Sequence, residues 1–296
     1  MHIRFGAKTD LGLKRSRNED SYYAGPELGL YIVCDGMGGH DAGDVASALA
    51  VETIRRHVAE GDGLVESHSG NGEESRFSPE ANRLVEAIRL ANRAIMQAAQ
   101  SGRGEGSQAG TCTMGTTVVA VLVHGPVLSF AHVGDSRLYL IRKGTIDLLT
   151  ADHTLVAEQV RQGLLTQDEA NRSPRRNIVT RALGITEEVE IDLDEVPLER
   201  GDRLLLCSDG LLRGVSDQAM LEAVTSAEEP QMASDRLVML AREAGGEDNI
   251  TAIVVAILGF ANGGWWNRFR GWWNGPPTRT DQPGGRCHGE AVAEIP

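Results

Sequence analysis

LYIVCDG, residues 30–36, runs five apolar residues straight into an aspartate and a glycine. The same event recurs in SFAHVGD (129–135) and LLLCSDG (204–210), and in DNITAIVVAI (248–257) the aspartate comes first. Short runs rich in Val, Ile and Leu form strands, and the ends of neighbouring strands meet at one edge of a sheet. Asp35, Asp135, Asp209 and Asp248 are therefore predicted to gather there. A lone aspartate after an apolar run is ordinarily a turn residue, but carboxylates gathered at one edge repel one another and need cations between them. Hard oxygen donors of this kind suit magnesium or manganese rather than zinc. The pattern predicts a metal-dependent enzyme.

Composition narrows the class. The 296 residues are 41% hydrophobic, enough for one large domain, and no apolar run approaches the length of a membrane-spanning helix. The first residues, MHIRFGAKTD, lack the apolar core of an export signal, so a cytoplasmic location is expected. Cys34 and Cys207 lie inside apolar runs and no pair has CxxC spacing, which predicts buried thiols rather than a zinc or redox site. A formal charge of −13 argues against nucleic acid as a partner.

Strands are predicted near 3–9, 30–34, 117–123, 127–133, 137–142, 203–207 and 250–257. A helix through DVASALAVETIRRHV would bury Val45, Leu49, Ile54 and Val58. A second begins at SPEANRL, where Ser78 can cap, Pro79 suits the first turn and Glu80 favours the positive helix end; Leu84, Ile88, Ala91 and Ile95 form its buried stripe. The stretch from His153 to Gly184 does not fit the sheet pattern and is expected as a flap beside the site. Strands interrupted by paired helices favour an α+β layered sandwich. Domain boundaries are expected at 1–259 for the catalytic unit and 260–296 for a tail.

RSRNED at Arg15–Asp20, DGMGGH at Asp35–His40, GTT at Gly115–Thr117, HVGDSRLY, SDGL and GGEDNIT occur in that order. Together they resemble the bacterial branch of the PP2C-type (PPM) serine/threonine protein phosphatases, over nearly the whole globular part. The resemblance implies an antiparallel β-sandwich flanked by helices on both sides, a four-layer αββα fold, binding two or three Mn²⁺ or Mg²⁺ ions. It implies that Asp35 bridges the first two metals and Gly36 offers its carbonyl to one. Asp209 and Asp248 would hold the other, Asp135 and Asp209 would share a third, and Glu19 and Asp20 would act through metal-bound waters. Arg15 would bind the substrate phosphate, as a planar guanidinium can pair bidentately with it. Where animal members carry histidine after the Asp-Gly pair, this chain has Met37; His40, His153 or a metal-bound water are then the candidates to protonate the leaving oxygen.

The reaction so implied is hydrolysis of phosphoserine and phosphothreonine in proteins by direct attack of a metal-bridging water. Phosphoprotein substrates and a cognate bacterial Ser/Thr kinase are the expected partners, and nothing demands more than a monomer. Two further readings use the same fold: a pseudophosphatase that only binds phosphoproteins, against which the retained Asp35, Asp209 and Asp248 argue, and a regulatory phosphatase devoted to one partner. Arg175 and Arg176 in NRSPRRN could help choose phosphopeptides, or belong to a solvated loop. The chain's four tryptophans, Trp265, Trp266, Trp272 and Trp273, share one segment with Arg268 and Arg270. That segment suits a membrane surface, a partner groove or the enzyme's own surface.

Overall fold

The computed structural model describes residues 2–38, 42–61, 76–101 and 114–260, all within one compact unit, Met1–Ala261. In chain order its strands are β1 (His2–Asp10), β2 (Asp20–Gly25), β3 (Leu30–Gly38), β4 (Met114–Thr116), β5 (Val118–His124), β6 (Val127–Val133), β7 (Arg137–Arg142), β8 (Thr145–Leu148), β9 (Asp192–Pro197), β10 (Arg203–Cys207) and β11 (Ile250–Gly259). The helices are α1 (Gly43–Glu60), α2 (Pro79–Ser101), α3 (Leu155–Arg161), α4 (Gln167–Arg172), α5 (Asp209–Leu212), α6 (Asp217–Ser226) and α7 (Pro230–Glu243). Two antiparallel sheets result, one ordered β1-β11-β10-β7-β8 and the other β2-β3-β5-β6-β9, with β4 paired to β3.

The apolar runs are continuous because both faces of the central strands are buried. On β3, Tyr31 and Val33 enter the core between the sheets, while Leu30, Ile32 and Cys34 pack beneath α1 and α2. On β11, Ile253, Val255 and Ile257 face the inter-sheet core, and Ile250, Ala252 and Val254 face α7 and its neighbours. Strand periodicity sends alternate residues to opposite faces, so a strand sandwiched between a helix layer and a second sheet must be apolar at every position. The four-layer αββα architecture that the resemblance implied is the one found.

The second long helix forms as its residues predict: Leu84, Ile88, Ala91 and Ile95 are all buried, and the Ser78 hydroxyl accepts the Ala81 N–H at 3.1 Å. The first helix is rotated from the expected face. Val45 is exposed, and the buried line runs through Ala46, Ala50, Ile54 and Val58, with Leu49 only half-buried. Small alanines let α1 lie close to β3, a preference that bulk alone does not reveal. Cys34 and Cys207 are buried free thiols.

The flap expected between His153 and Gly184 carries α3 and α4. Thr154 caps α3, and Thr166 with Glu169 forms a reciprocal capping box on α4. Its base is sewn to the sandwich by backbone pairing: Leu183 exchanges hydrogen bonds with Thr116 at 2.9 and 3.2 Å. Arg175 and Arg176 are exposed on it.

Glu195 on β9 fastens the start of α2 to the sheet. Its carboxylate accepts the Ser78 hydroxyl and N–H at 2.6 and 3.1 Å and the Ser129 hydroxyl at 2.6 Å. Burial opposes its ionisation, but donors from His124, Ser129 and Ser78 outweigh that and hold the group at about 2. A depressed carboxylate contributes stability that is present above its ordinary value and is lost as pH falls through the folded value. Glu195→Gln is expected to destabilise the protein by about 2 kcal/mol at neutral pH. In urea titrations at successive pH values, that difference should shrink as pH falls below about 4, toward the folded value; a pH-independent difference would contradict the assignment.

Candidate metal centre

All five aspartates of interest arrive at one edge of the sandwich. Asp20 opens β2 and stands directly opposite Asp35 on β3. Asp135 lies in the turn between β6 and β7, Asp209 is the first residue of α5 after β10, and Asp248 precedes β11. The Asp35 backbone is fixed on both sides: its N–H donates to Thr117 Oγ1 at 3.0 Å, and its carbonyl accepts from Thr117 N–H and Thr116 Oγ1, each at 2.9 Å. Gly36 donates its N–H to the Glu19 carbonyl at 3.0 Å, and a Cβ there would collide with the Gly43 carbonyl oxygen. Only glycine permits that approach.

Asp20 ties the two sheets together at this edge. One of its oxygens accepts hydroxyl hydrogen bonds, both at 2.7 Å, from Thr251 on β11 of the opposite sheet and from Ser208 directly after β10. The Ser208 hydroxyl in turn accepts the Thr251 N–H at 3.0 Å. Asn249 performs the matching task for the loop after β1. Its side-chain oxygen accepts the Glu19 N–H at 2.8 Å, while its amide donates to the carbonyls of Leu11 and Arg17 at 3.0 and 2.8 Å. Glu19 and Arg15 are thereby held at the rim. Ser208, Thr251 and Asn249 were not predicted as functional, although each adjoins a predicted aspartate or lies in a quoted motif.

Two arginines meet the cluster. Arg15 grips Asp248 with both prongs, Nε to Oδ1 at 2.7 Å and Nη2 to Oδ2 at 2.8 Å, while its side chain stays 48% exposed. Arg213, which the sequence reading missed, places Nη2 2.5 Å from Asp209 Oδ2 and 2.8 Å from Asp248 Oδ2.

Electrostatics show how crowded the edge is. Burial pushes Asp20 and Asp135 up to about 7, with the charge of Asp209 adding to both. Asp35 is raised well above the usual carboxylate range, first by desolvation and then by Asp20, Asp209, Asp135 and Asp248. Burial likewise raises Glu19, against the pull of Arg15. Asp20 Oδ1 and Asp209 Oδ1 are buried with no hydrogen-bond partner among the described residues. Orphaned buried carboxylate oxygens and mutual repulsion are both relieved by a hard divalent cation, so these residues fit the metal that the sequence predicts.

Among the described residues, the trio of donor atoms lying within 4.8 Å of one another is a different one, His132, His153 and Asp192. It suits a metal poorly. The two imidazoles stack with centroids 4.6 Å apart and an interplanar angle of 19°, so their in-plane lone pairs run nearly parallel and do not converge on one nearby point. His153 Nδ1 already accepts the Gly134 N–H at 3.1 Å, its Nε2 lies 3.3 Å from Asp192, and Arg181 adds a positive charge 3.1 Å from Asp192. Both nitrogens of His153 are thus engaged in the flap base, which leaves neither to protonate a leaving group at the carboxylates. Its hydrogen bond instead steadies Gly134, whose φ of 110° suits glycine, beside Asp135. His40 lies outside the described residues.

The family described as Protein phosphatase 2C matches residues 14–241. The serine/threonine protein phosphatase PstP of Mycobacterium tuberculosis is 38% identical over 262 residues, 88% of this chain and 46% of the relative, so the chain spans about half the length of that protein. The serine/threonine phosphatase stp of Listeria welshimeri is 37% identical over 258 residues, 86% of this chain and 95% of its own length. Among solved structures, the catalytic domain of PstP in complex with two manganese ions superposes with a TM-score of 0.71 at 37% identity, covering 87% of this chain and 99% of that one. By the extent of these matches, the chain belongs to the protein phosphatase 2C family.

Proposed function

We propose that the chain is a metal-dependent protein-serine/threonine phosphatase whose catalytic unit is residues 1–259. The observation that carries this reading is the convergence of Asp20, Asp35, Asp135, Asp209 and Asp248 on one edge, with two buried carboxylate oxygens that have no partner among the described residues. Relatives at similar identity are named serine/threonine phosphatases, and one was solved with two manganese ions, which supports Mn²⁺ or Mg²⁺ here.

In this reading Asp35, the Gly36 carbonyl, Asp209 and Asp248 would hold two ions, Asp135 with Asp209 would take a third, and Glu19 and Asp20 would act through water. The ions, when bound, supply acidified water and neutralise phosphoryl charge. Ser208 and Thr251 keep Asp20 oriented through their hydroxyls. Arg15 stays accessible at the rim and would meet the phosphate with the guanidinium edge turned away from Asp248. Water is consumed, the phosphorus–oxygen ester bond breaks, and the serine or threonine hydroxyl and inorganic phosphate leave. The substrates are phosphoproteins made by a bacterial Ser/Thr kinase. No helix among the described residues is long and apolar enough to cross a membrane; we place the enzyme in the cytoplasm as a monomer.

Hydrolysis of a phosphothreonine peptide should require added Mn²⁺ or Mg²⁺, cease with chelator, and fall roughly hundredfold or more in Asp209→Asn. A folded protein inactive with either metal would favour the phosphoprotein-binding reading.

The exposed flap arginines extend the proposal to substrate choice. Arg175→Ala with Arg176→Ala should alter preference among phosphopeptides while sparing a small aryl phosphate, and equal losses on both would remove that role.

The Trp/Arg segment lies outside the described residues, and we propose that it meets a membrane surface. Deleting the residues after Ala261 should abolish sedimentation with anionic liposomes; unchanged binding counts against it.

A further inference from the structure

Arg213 follows the last residue of α5 and lies one helical turn beyond Asp209, so its side chain returns over the carboxylate edge. One nitrogen, Nη2, touches both Asp209 Oδ2 at 2.5 Å and Asp248 Oδ2 at 2.8 Å. Its own side chain is 20% exposed, against 17% for Asp209 and 11% for Asp248, so the contact is largely withdrawn from solvent. Ion pairs so placed are screened far less than surface pairs.

Asp248 is saturated by this arrangement. Oδ1 receives Arg15 Nε at 2.7 Å and the Asn249 N–H at 3.0 Å; Oδ2 receives Arg15 Nη2 and Arg213 Nη2, each at 2.8 Å. Arg15 can keep most of its grip if one oxygen is shared, because it holds both. Arg213 has no such alternative on Asp248, and its Nε is buried with no partner among the described residues. A guanidinium stays charged throughout the physiological range and so cannot yield by losing a proton. It must move or share.

We infer that Arg213 is a resident counter-cation that competes with the divalent ion for Asp209 and Asp248, weakening metal affinity while stabilising the fold when metal is scarce. The inference rests on the reading of these two aspartates as metal ligands. A positive charge beside the ion lowers affinity by repulsion, and the ion must in addition displace an existing charge-assisted contact on each carboxylate. Together with the grip of Arg15 on Asp248, the same contact offsets part of the repulsion among the carboxylates. Breaking a buried pair by removing one partner is costly for that reason.

The test titrates Mn²⁺ into the full-length chain by calorimetry, for the parent, Arg213→Gln and Arg213→Lys, with thermal unfolding of each in chelator and in saturating Mn²⁺. Arg213→Gln should bind Mn²⁺ about tenfold more tightly and unfold at a lower temperature in chelator, with that deficit largely removed by Mn²⁺. Arg213→Lys, which keeps the charge, should lie closer to the parent on both measures. Equal or weaker Mn²⁺ binding by Arg213→Gln overturns the inference while leaving the metal site standing. A parent chain that binds no Mn²⁺ overturns the metal-site reading itself, and the inference with it.

Discussion

Like charge held out of water is the constraint around which this molecule is organised. Carboxylates from both sheets are brought to a single edge, and burial together with mutual repulsion drives Asp20, Asp35, Asp135 and Asp209 above their ordinary range. A flexible chain would relieve that repulsion by moving apart. The sandwich prevents it: Asp35, Asp135, Asp209 and Asp248 adjoin strands packed on both faces, and Asp20 stands directly opposite Asp35. Cohesion of the apolar layers thus holds a charge arrangement that is unfavourable by itself and becomes favourable with cations.

Rigidity at the edge also comes from polar contacts that cross between the sheets. Thr251 on β11 and Ser208 at the end of β10 donate to Asp20 on the other sheet, and Asn249 gathers the loop bearing Arg15 and Glu19. None of these side chains needs to touch substrate. They convert the fixed spacing of two sheets into fixed positions for oxygen atoms, which is how a second layer of hydrogen bonds serves a metal site.

Much of this was legible in the sequence because the central strands are buried twice over, giving unbroken apolar runs that end in Asp35, Asp209 or begin after Asp248. The strands that escaped notice lie at sheet edges or are very short. DSYYAG of β2, TIDL of β8 and DLDEVP of β9 each border a sheet, where polar residues are tolerated and periodicity blurs, and β4 has three residues. The misplaced face of α1 has the same root: alanines mark a close approach that a search for bulky residues overlooks. Arg213 was invisible for another reason. Four residues after Asp209 on a short helix it reads as an ordinary surface pair, and its meaning comes from Asp248, 35 positions further on, arriving at the same nitrogen.

The flap is attached at its base by main-chain hydrogen bonds, Leu183 with Thr116 and the His153 N–H with the Gly134 carbonyl, and by the side chains of His153 on Gly134 and Arg181 on Asp192. Backbone pairing is indifferent to residue identity, whereas the Thr116 hydroxyl on the sandwich side is committed to the Asp35 carbonyl. The outer part of the flap, from α3 through the exposed arginines, can therefore be rewritten or lengthened without disturbing the aspartate edge. In engineering terms it is a cassette: recognition sequences can be grafted there onto an unchanged hydrolytic frame.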